Sequence, residues 1–349
     1  VMEETQDTAP QEQELYEHHR FTVDAGQDLL RIDKFLFSKI AHVSRTRIQA
    51  AADAGCILVN EQAVKSSYRV KPRDVITVVL GTPPVEFELI AEDIPLKIVY
   101  EDEDLLVLDK AAGMVVHPAY GNFSGTMLNG LLYYCEHHAK SKRAQPLLLH
   151  RIDKDTSGLL VVALNEQAQA ALARDFFNHT ISRRYKALVW GDFEETEGTI
   201  TGHIGRSLKN RKVMDVFPDG KYGKHAVTHY RVLERFRYVS LLECVLETGR
   251  THQIRAHMQH TGHPLFNDAT YGGDRILKGT TFSKYKQFIQ NCFNILPRQA
   301  LHAETLGFMH PRLKKNMEFT SALPSDFQAV LEKWRTYVTF SREFEDEHD

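Results

Sequence analysis

Residues 150–158 place charged and polar side chains between two apolar runs, and this stretch constrains the fold more than any other. It reads His-Arg-Ile-Asp-Lys-Asp-Thr-Ser-Gly, with leucines at 147–149 before it and the apolar residues 159–163 after it. Both flanks are typical of buried strands. Because an unpaired buried carboxylate is costly, the stretch predicts either a structural cluster of ion pairs or a site of chemistry. Taken alone, it leaves these alternatives equally open.

Length and composition indicate a globular protein. The chain has 349 residues, enough for about two domains, and 42% of them are hydrophobic and 26% charged. No apolar run approaches the roughly 20 residues of a membrane-spanning helix, and the acidic start does not resemble a signal peptide. We therefore expect a cytoplasmic protein without a membrane partner. Its four cysteines form no C-x-x-C pair, which argues against a disulfide framework or a zinc site.

The net charge of −3 is unevenly distributed along the chain. Residues 1–20 carry six acids and one base, and residues 341–349 carry five acids and one base. Acidic tails of this kind are typical of disordered segments. The body between them carries 41 bases and 35 acids. Its positive charge is compatible with a polyanionic partner.

A first domain is predicted over residues 21–82. Helices are expected near residues 29–40 and from a cap at Ser44 to Gly55, and strands near residues 57–59 and 75–80.

This predicted domain is basic, with nine bases against four acids between residues 31 and 80. A solvated face explains any single charge. Two runs, Arg-Ile-Asp-Lys-Phe-Leu at 31–36 and Gly-x-Ile-x-Val-Asn at 55–60, resemble the small RNA-binding domain named after ribosomal protein S-four. The resemblance implies phosphate contacts to structured RNA, for which we select Arg45, Arg47 and Lys65.

A second domain is predicted over residues 83–340, after a Gly-Thr-Pro-Pro turn at 81–84. Its mixture of hairpins and scattered helices favours an α+β fold over a regular βαβ series. Residues 203–225 hold six Lys and Arg against two acids and predict a basic hairpin. Residues 272–298 form a long insert with helical character.

Two other functions are suggested by single motifs. The order His-Arg-x-Asp at 150–153 occurs in protein kinases, but their glycine-rich loop, catalytic-loop Asn and Asp-Phe-Gly motif are absent here. His252, His257, His260 and His263 suggest a metal cluster, but their spacing puts only some of them on one helical face, and no zincin motif is present. We therefore predict no metal site.

Four stretches together resemble the RluA family of pseudouridine synthases, and within it the RluD type, over about three hundred residues: 110–118, 150–158, 182–191 and 247–257. The most specific are the run at 150–158 and Glu-Thr-Gly-Arg-Thr-His-Gln-Ile-Arg at 247–255. The chain departs from the family pattern mildly. Ile152 replaces a commoner leucine, Ala111 replaces a proline, and the insert is longer.

The resemblance implies that Asp153 is the catalytic aspartate, that Arg255 pairs with it and that Tyr185 stacks on the target uracil. The family's reaction breaks the bond from uracil nitrogen to ribose, rotates the base and rejoins it through carbon, without a cofactor. A carboxylate suits this work as a nucleophile or as a stabiliser of a cationic sugar, and both roles stay open. Because the target must leave its stack, Arg151 is expected to fill the vacated space.

The same resemblance implies RNA contacts by His150, Arg250 and His252, while Asp155 and Thr156 are expected to fix the loop. We therefore predict an α+β enzyme, with a mostly antiparallel mixed sheet in its catalytic domain, that acts as a monomer on uridines in large-subunit ribosomal RNA. Transfer RNA is the alternative substrate. The rival from another class is a non-catalytic RNA-binding factor in ribosome assembly.

Overall fold

The computed structural model describes residues 16–40, 43–80, 89–118, 124–210 and 213–346. The chain divides into two units, Val1–Glu88 and Leu89–Asp349. The predicted turn at 81–84 and the outer parts of both acidic tails lie outside the described residues. None of the described helices is long and apolar enough to cross a membrane.

The first unit contains two helices and a four-stranded antiparallel sheet with the order β1-β4-β2-β3. Its elements are β1 (Tyr16–Thr22), α1 (Ile32–Lys39), α2 (Arg45–Asp53), β2 (Ile57–Val59), β3 (Gln62–Ala63) and β4 (Val75–Leu80). Ser44 caps α2 by accepting a hydrogen bond from the backbone N–H of Arg47 at 3.3 Å. The two predicted helices and the predicted strands β2 and β4 are confirmed.

A buried carboxylate ties the two helices of the first unit together. Asp33 accepts hydrogen bonds from Arg31, Arg45 and Gln49, at 3.1, 2.8 and 2.8 Å. Burial alone would raise the pKa of Asp33, but these donors hold it well below its usual range. Arg45 is therefore partly engaged in holding the fold.

The second unit contains an eleven-stranded sheet. Its described elements are β5 (Ile98–Glu101), β6 (Leu105–Lys110), α3 (Met127–His137), β7 (Leu147–Leu148), β8 (Ser157–Ala163), α4 (Glu166–Phe177), β9 (Ser182–Trp190), β10 (Glu197–Arg206), β11 (Met214–Phe217), β12 (Lys224–Arg235), β13 (Val239–Leu246), α5 (Gln253–His260), α6 (Ser283–Ile295), β14 (Leu301–Met309), β15 (Asn316–Thr320) and α7 (Ser325–Asp346).

The strands of this sheet follow the order β11-β10-β12-β13-β9-β14-β8-β6-β5, with β15 beside β14 and β7 beside β8. The described pairs are antiparallel except for β8 with β14, where Ser157 and Gly158 lie opposite His302 and Ala303. The predicted α+β class with a mostly antiparallel mixed sheet is confirmed. The sequence did not predict β14, although it lies in the middle of the sheet between β8 and β9.

Helices cover both faces of the sheet. On one face, α3 and α5 pack with alternate residues of β6 and β9, among them Leu106 and Tyr185. On the other face, α4 packs on Leu105 and its neighbours, while α6 and α7 pack around Trp190. Because side chains alternate along a strand, Tyr185 is directed to the same side as α5.

The insert and the chain end form a second aromatic core. Tyr285 of α6 and Phe327 and Trp334 of α7 are buried together. The helical character predicted for residues 272–298 is therefore confirmed. The helix α7 continues to Asp346, and β1 begins at Tyr16, so both predicted acidic tails are shorter than expected. A helix with a packed face extends cooperatively, which explains why acidic composition alone misplaced its end.

Candidate active site

The polar stretch at 150–158 forms the connection between β7 and β8 and the first residues of β8. It borders a cavity of about 560 Å³. Its first flank differs from expectation, because β7 is only half-buried, whereas β8 is buried throughout. Seven of the predicted site residues line the cavity: His150, Arg151, Asp153, Tyr185, Arg250, His252 and Arg255.

Asp153 and Arg255 lie 102 residues apart in sequence and form an ion pair in the cavity. Arg255 Nη1 donates to Asp153 Oδ2 at 2.9 Å. Arg255 is buried in α5, while Asp153 keeps part of its surface open to the cavity. His252 Nε2 lies 3.8 Å from the other carboxylate oxygen, Oδ1. One oxygen of Asp153 is thus held by a guanidinium, and the partly exposed side chain lines the cavity.

A second carboxylate, which the sequence did not reveal, anchors the same arginine. Arg255 Nε and Nη2 donate to Asp268 Oδ2 and Oδ1 at 2.7 and 2.9 Å, a two-pronged contact that fixes the guanidinium plane. Asp268 is only 1% exposed. It lies outside every stretch that carried the family resemblance, so no pattern in the sequence marked it.

Tyr271 contacts both Arg255 and His252. The ring of Tyr271 lies 5.0 Å from Arg255 Cζ, and its hydroxyl is 3.1 Å from His252 Nδ1. Burial alone would lower the pKa of Arg255, but the carboxylates of Asp268 and Asp153 raise it above its ordinary value. Burial lowers the pKa of His252, and the charge of Asp153 opposes that shift. Arg255 is therefore the permanent cation beside Asp153.

Tyr185 of β9 forms an aromatic wall of the cavity and is 7% exposed. Burial raises the pKa of its phenol; the charge of Arg183 opposes this shift, and that of Asp153 adds to it. Since an unperturbed tyrosine titrates near pH ~10, Tyr185 is a neutral phenol at neutral pH. Its ring offers a flat apolar surface against which a uracil can stack.

Two buried basic side chains, Lys110 and Arg298, hold the loop that carries Asp153. The Nζ of Lys110 donates to three backbone carbonyls, including that of Lys154 at 2.8 Å, which matches the three donors of an ammonium group. Arg298 donates to the backbone carbonyl of Asp155 at 3.0 Å and pairs with Asp326. The loop is therefore fixed largely through backbone carbonyls, and Asp155 contributes through its main chain.

Gly158 permits the strand contact beneath the loop. Its φ is +115°, and a Cβ at this position would lie 2.2 Å from the carbonyl oxygen of Ala303 on β14. Only glycine fits this conformation and this close approach. The contact brings Gln299 under the loop, where its side chain donates to Thr156 Oγ1 at 3.3 Å.

His150 and Arg151, adjacent in sequence, differ in environment. His150 Nε2 accepts a hydrogen bond from the backbone N–H of Val161 at 3.0 Å, and its ring packs on Phe176. Burial, with a contribution from the charge of Arg183, lowers the pKa of His150 to about 3, so the imidazole is neutral. Arg151 is exposed at the rim of the cavity.

The remaining predicted RNA contacts are distributed over both units. Arg250 lines the cavity and donates to the backbone carbonyl of His225 at 3.0 Å. Arg45, Arg47 and Lys65 are exposed and belong to the first unit, whereas the cavity is lined by residues of the second.

One group among the described residues offers three ligand atoms to a metal ion: Asp102, Asp104 and His310. Arg312 Nε lies 2.7 Å from Asp104, and His310 Nε2 lies 2.7 Å from Asp102. None of these residues lines the cavity around Asp153. Their contacts join the turn between β5 and β6 to the turn after β14.

Comparison with known families identifies both units. A family model described as RNA pseudouridylate synthase matches residues 104–260, and a model described as S4 domain matches residues 30–76. The first match contains Asp153, Tyr185 and Arg255.

Individual proteins and structures agree. An RNA pseudouridine synthase of Chlorobaculum parvum is 47% identical over 92% of this chain and 98% of its own length. Ribosomal large subunit pseudouridine synthase D of Zymomonas mobilis is 43% identical over 86% of this chain and 92% of its own. The solved structure of human RNA Pseudouridylate Synthase Domain Containing 1 is 27% identical with a TM-score of 0.50, covering 69% of this chain and 89% of its own. The chain belongs to the family of RNA pseudouridine synthases, enzymes that isomerise uridine in RNA to pseudouridine.

Proposed function

We propose that this enzyme converts specific uridines of large-subunit ribosomal RNA, with Asp153 as the catalytic carboxylate. Relatives named ribosomal large subunit pseudouridine synthase D are 39–43% identical over most of the chain, which supports this substrate. On the same ground we place the enzyme in the cytoplasm, with the ribosomal RNA of an assembling large subunit as its partner.

The observation that carries the catalytic assignment is the placement of Asp153. Its Oδ2 is bound by an arginine that Asp268 holds in place, and its partly exposed side chain lines a cavity of about 560 Å³. A protein that only bound RNA would gain nothing from a carboxylate here, since it would repel phosphates. A group aimed at a substrate by a rigid partner is typical of a reacting group.

The chemistry requires four changes in the target nucleotide. The bond between ribose C1′ and uracil N1 breaks and leaves its electron pair on N1, the base turns, a bond forms between C1′ and C5, and C5 loses a proton while N1 gains one. Asp153 can attack during the first step or stabilise the positive charge that develops on the sugar, and both roles suit a carboxylate. Tyr185, a neutral phenol in the cavity wall, supports the base while it turns.

Access to Asp153 requires base flipping. A uridine stacked within RNA cannot place C1′ beside a carboxylate inside a cavity, so it must leave the stack, at a cost of a few kcal/mol. Arg151 lies two residues before Asp153 and is exposed at the rim. Its planar guanidinium can stack between the neighbouring bases and offset part of that cost.

The substrate assignment is tested by mapping pseudouridines through chemical labelling in cells that lack the protein. We expect defined sites in large-subunit ribosomal RNA to be lost, to return with the wild-type gene and to stay absent with Asp153→Asn. If pseudouridines are lost only from transfer RNA, transfer RNA is the substrate. Restoration by the variant would contradict the role of Asp153.

A further inference from the structure

Arg183 is a buried cation without an acidic partner. It is 7% exposed, its Nη2 donates to the backbone carbonyl of Glu247 at 3.2 Å, and its buried Nε has no hydrogen-bond partner. Three arginines are buried among the described residues. Arg255 pairs with two aspartates and Arg298 with one, whereas no carboxylate of the described chain pairs with Arg183.

The guanidinium of Arg183 lies at the cavity wall, in a space that neighbouring residues leave for it. Arg183 lies two residues before Tyr185 on β9, so both side chains are directed to the face that carries the cavity. The ring of Phe176 lies 5.5 Å from Arg183 Cζ. A Cβ on residue 249 would lie 2.6 Å from Arg183 Nη1, so Gly249 leaves the space that the guanidinium occupies.

Within the described part of the chain, no group beside Arg183 neutralises its charge. His150, its neighbour across Phe176, is neutral at physiological pH. A buried charge without a counter-charge is costly, and an arginine cannot escape that cost by losing its proton. The cost is removed if an anion enters the cavity when the substrate binds.

RNA supplies one such anion with every nucleotide. The rim on this side of the cavity carries Phe177, which is 82% exposed and offers a surface for a neighbouring base. We propose that Arg183 binds a phosphodiester of the RNA strand adjacent to the target uridine and so positions the target ribose at Asp153. This proposal rests on the assignment of the cavity to the target uridine. Arg183 is on this account a positioning residue, and its guanidinium contacts the backbone and not the reacting base.

The test combines a variant with a modified RNA. Methylphosphonates, which carry no charge, replace the phosphates around the target uridine one at a time. Dissociation constants are measured for the wild type and Arg183→Met at several salt concentrations. We expect R183M to raise the Kd about 10-fold or more and to lower the salt slope by about one, as expected when one phosphate is no longer neutralised. At one phosphate the methylphosphonate should weaken binding to the wild type while leaving binding to R183M nearly unchanged.

Arg184→Met is the matched control, because it removes the same charge from the next residue of β9, which is exposed and directed to the opposite face. If R183M does not fold, R183Q replaces it in the same cycle. The proposal would be overturned if, at every position, the methylphosphonate weakened RNA binding to R183M as much as it weakened binding to the wild type. The proposal would also be overturned if R183M kept the wild-type Kd and salt slope but isomerised the uridine more slowly. That result would place the charge of Arg183 at the uracil. Activity of Asp153→Asn, measured separately, tests the cavity assignment itself.

Discussion

Arg255 is shared by two carboxylates with different environments. Asp268 is sealed from solvent, while Asp153 faces the cavity. The contact with Asp268 uses two nitrogens of the Arg255 guanidinium and leaves Nη1 for Asp153. The direction in which Asp153 is held therefore depends on a residue that does not line the cavity.

Substitution of Asp268 should therefore impair the reaction more than binding. We expect Asp268→Asn to lower kcat about 10²-fold, the scale of a misplacement of about 1 Å in a catalytic group. The Kd for RNA should change little, because Asp268 does not line the cavity. Single-turnover kinetics and RNA binding measure the two effects. Asp274→Asn, on an exposed residue nearby, is the control; wild-type kcat in D268N would refute the role of Asp268.

We expect His257 to make the stability of the protein depend on pH. It is fully buried, its Nε2 has no partner, and burial, with smaller effects of His260 and His225, lowers its pKa to about 4. An unfolded histidine titrates near pH ~6.5, so between these values only the unfolded chain binds the proton. The free energy of unfolding should therefore fall on acidification from pH ~6.5 to ~4, by up to about 1.4 kcal/mol per pH unit from this group.

Denaturant unfolding of His257→Asn across that pH range measures the effect. The variant should show a shallower dependence than the wild type, and the exposed His260→Asn should keep the wild-type slope. Identical slopes for the wild type and H257N would mean that the proton is taken up elsewhere.

At the scale of elements, the parallel contact between β8 and β14 supports the loop that carries Asp153. Gly158 meets the backbone of Ala303 at this contact and has a positive φ. We expect Gly158→Ala to reduce the free energy of unfolding by about 3 kcal/mol or more, since it adds both backbone strain and a clash with main-chain atoms.

The substitution Gly113→Ala separates the effect of backbone strain from the effect of a steric clash. Gly113 also has a positive φ, +85°, but a Cβ there would meet nothing within 4 Å. Its substitution should cost only about 1 kcal/mol. Equal losses of stability for the two variants, measured by chemical unfolding, would show that the approach to Ala303 is not what requires glycine.

The same contact shows what sequence reasoning could and could not reach. Strong local signals, such as the apolar run of β8 and the Ser44 cap, located their elements correctly. The sequence did not predict the strand β14 or the role of Asp268, because no local sequence pattern indicates either of them. A residue such as Asp268 is defined by the fold that brings it to Arg255, and periodicity does not report contacts between distant segments.

At the scale of the whole molecule, the two units are predicted to divide RNA binding from chemistry. The cavity belongs entirely to the second unit, and the S4 domain to the first. Residues 31–80 carry nine bases against four acids, among them Arg47 and Lys65.

Deletion of residues 1–88 should therefore raise the Kd for large-subunit RNA and lower its salt slope by about 0.9 for each phosphate that the first unit neutralises. The truncated enzyme should still isomerise a short RNA that contains the target, because the second unit has its own apolar core. Filter binding at several salt concentrations measures the slope. A truncated enzyme with the full salt dependence would exclude a binding role for the first unit.

A single-turnover assay of pseudouridine formation on large-subunit RNA tests whether Asp153 performs the isomerisation. Asp153→Asn should form no pseudouridine while binding the RNA with nearly the wild-type Kd. Asp155→Asn, the same substitution two residues along the same loop, should keep most of the activity, because Asp155 serves the loop through its backbone carbonyl. Pseudouridine formation by D153N at the wild-type rate would contradict the account.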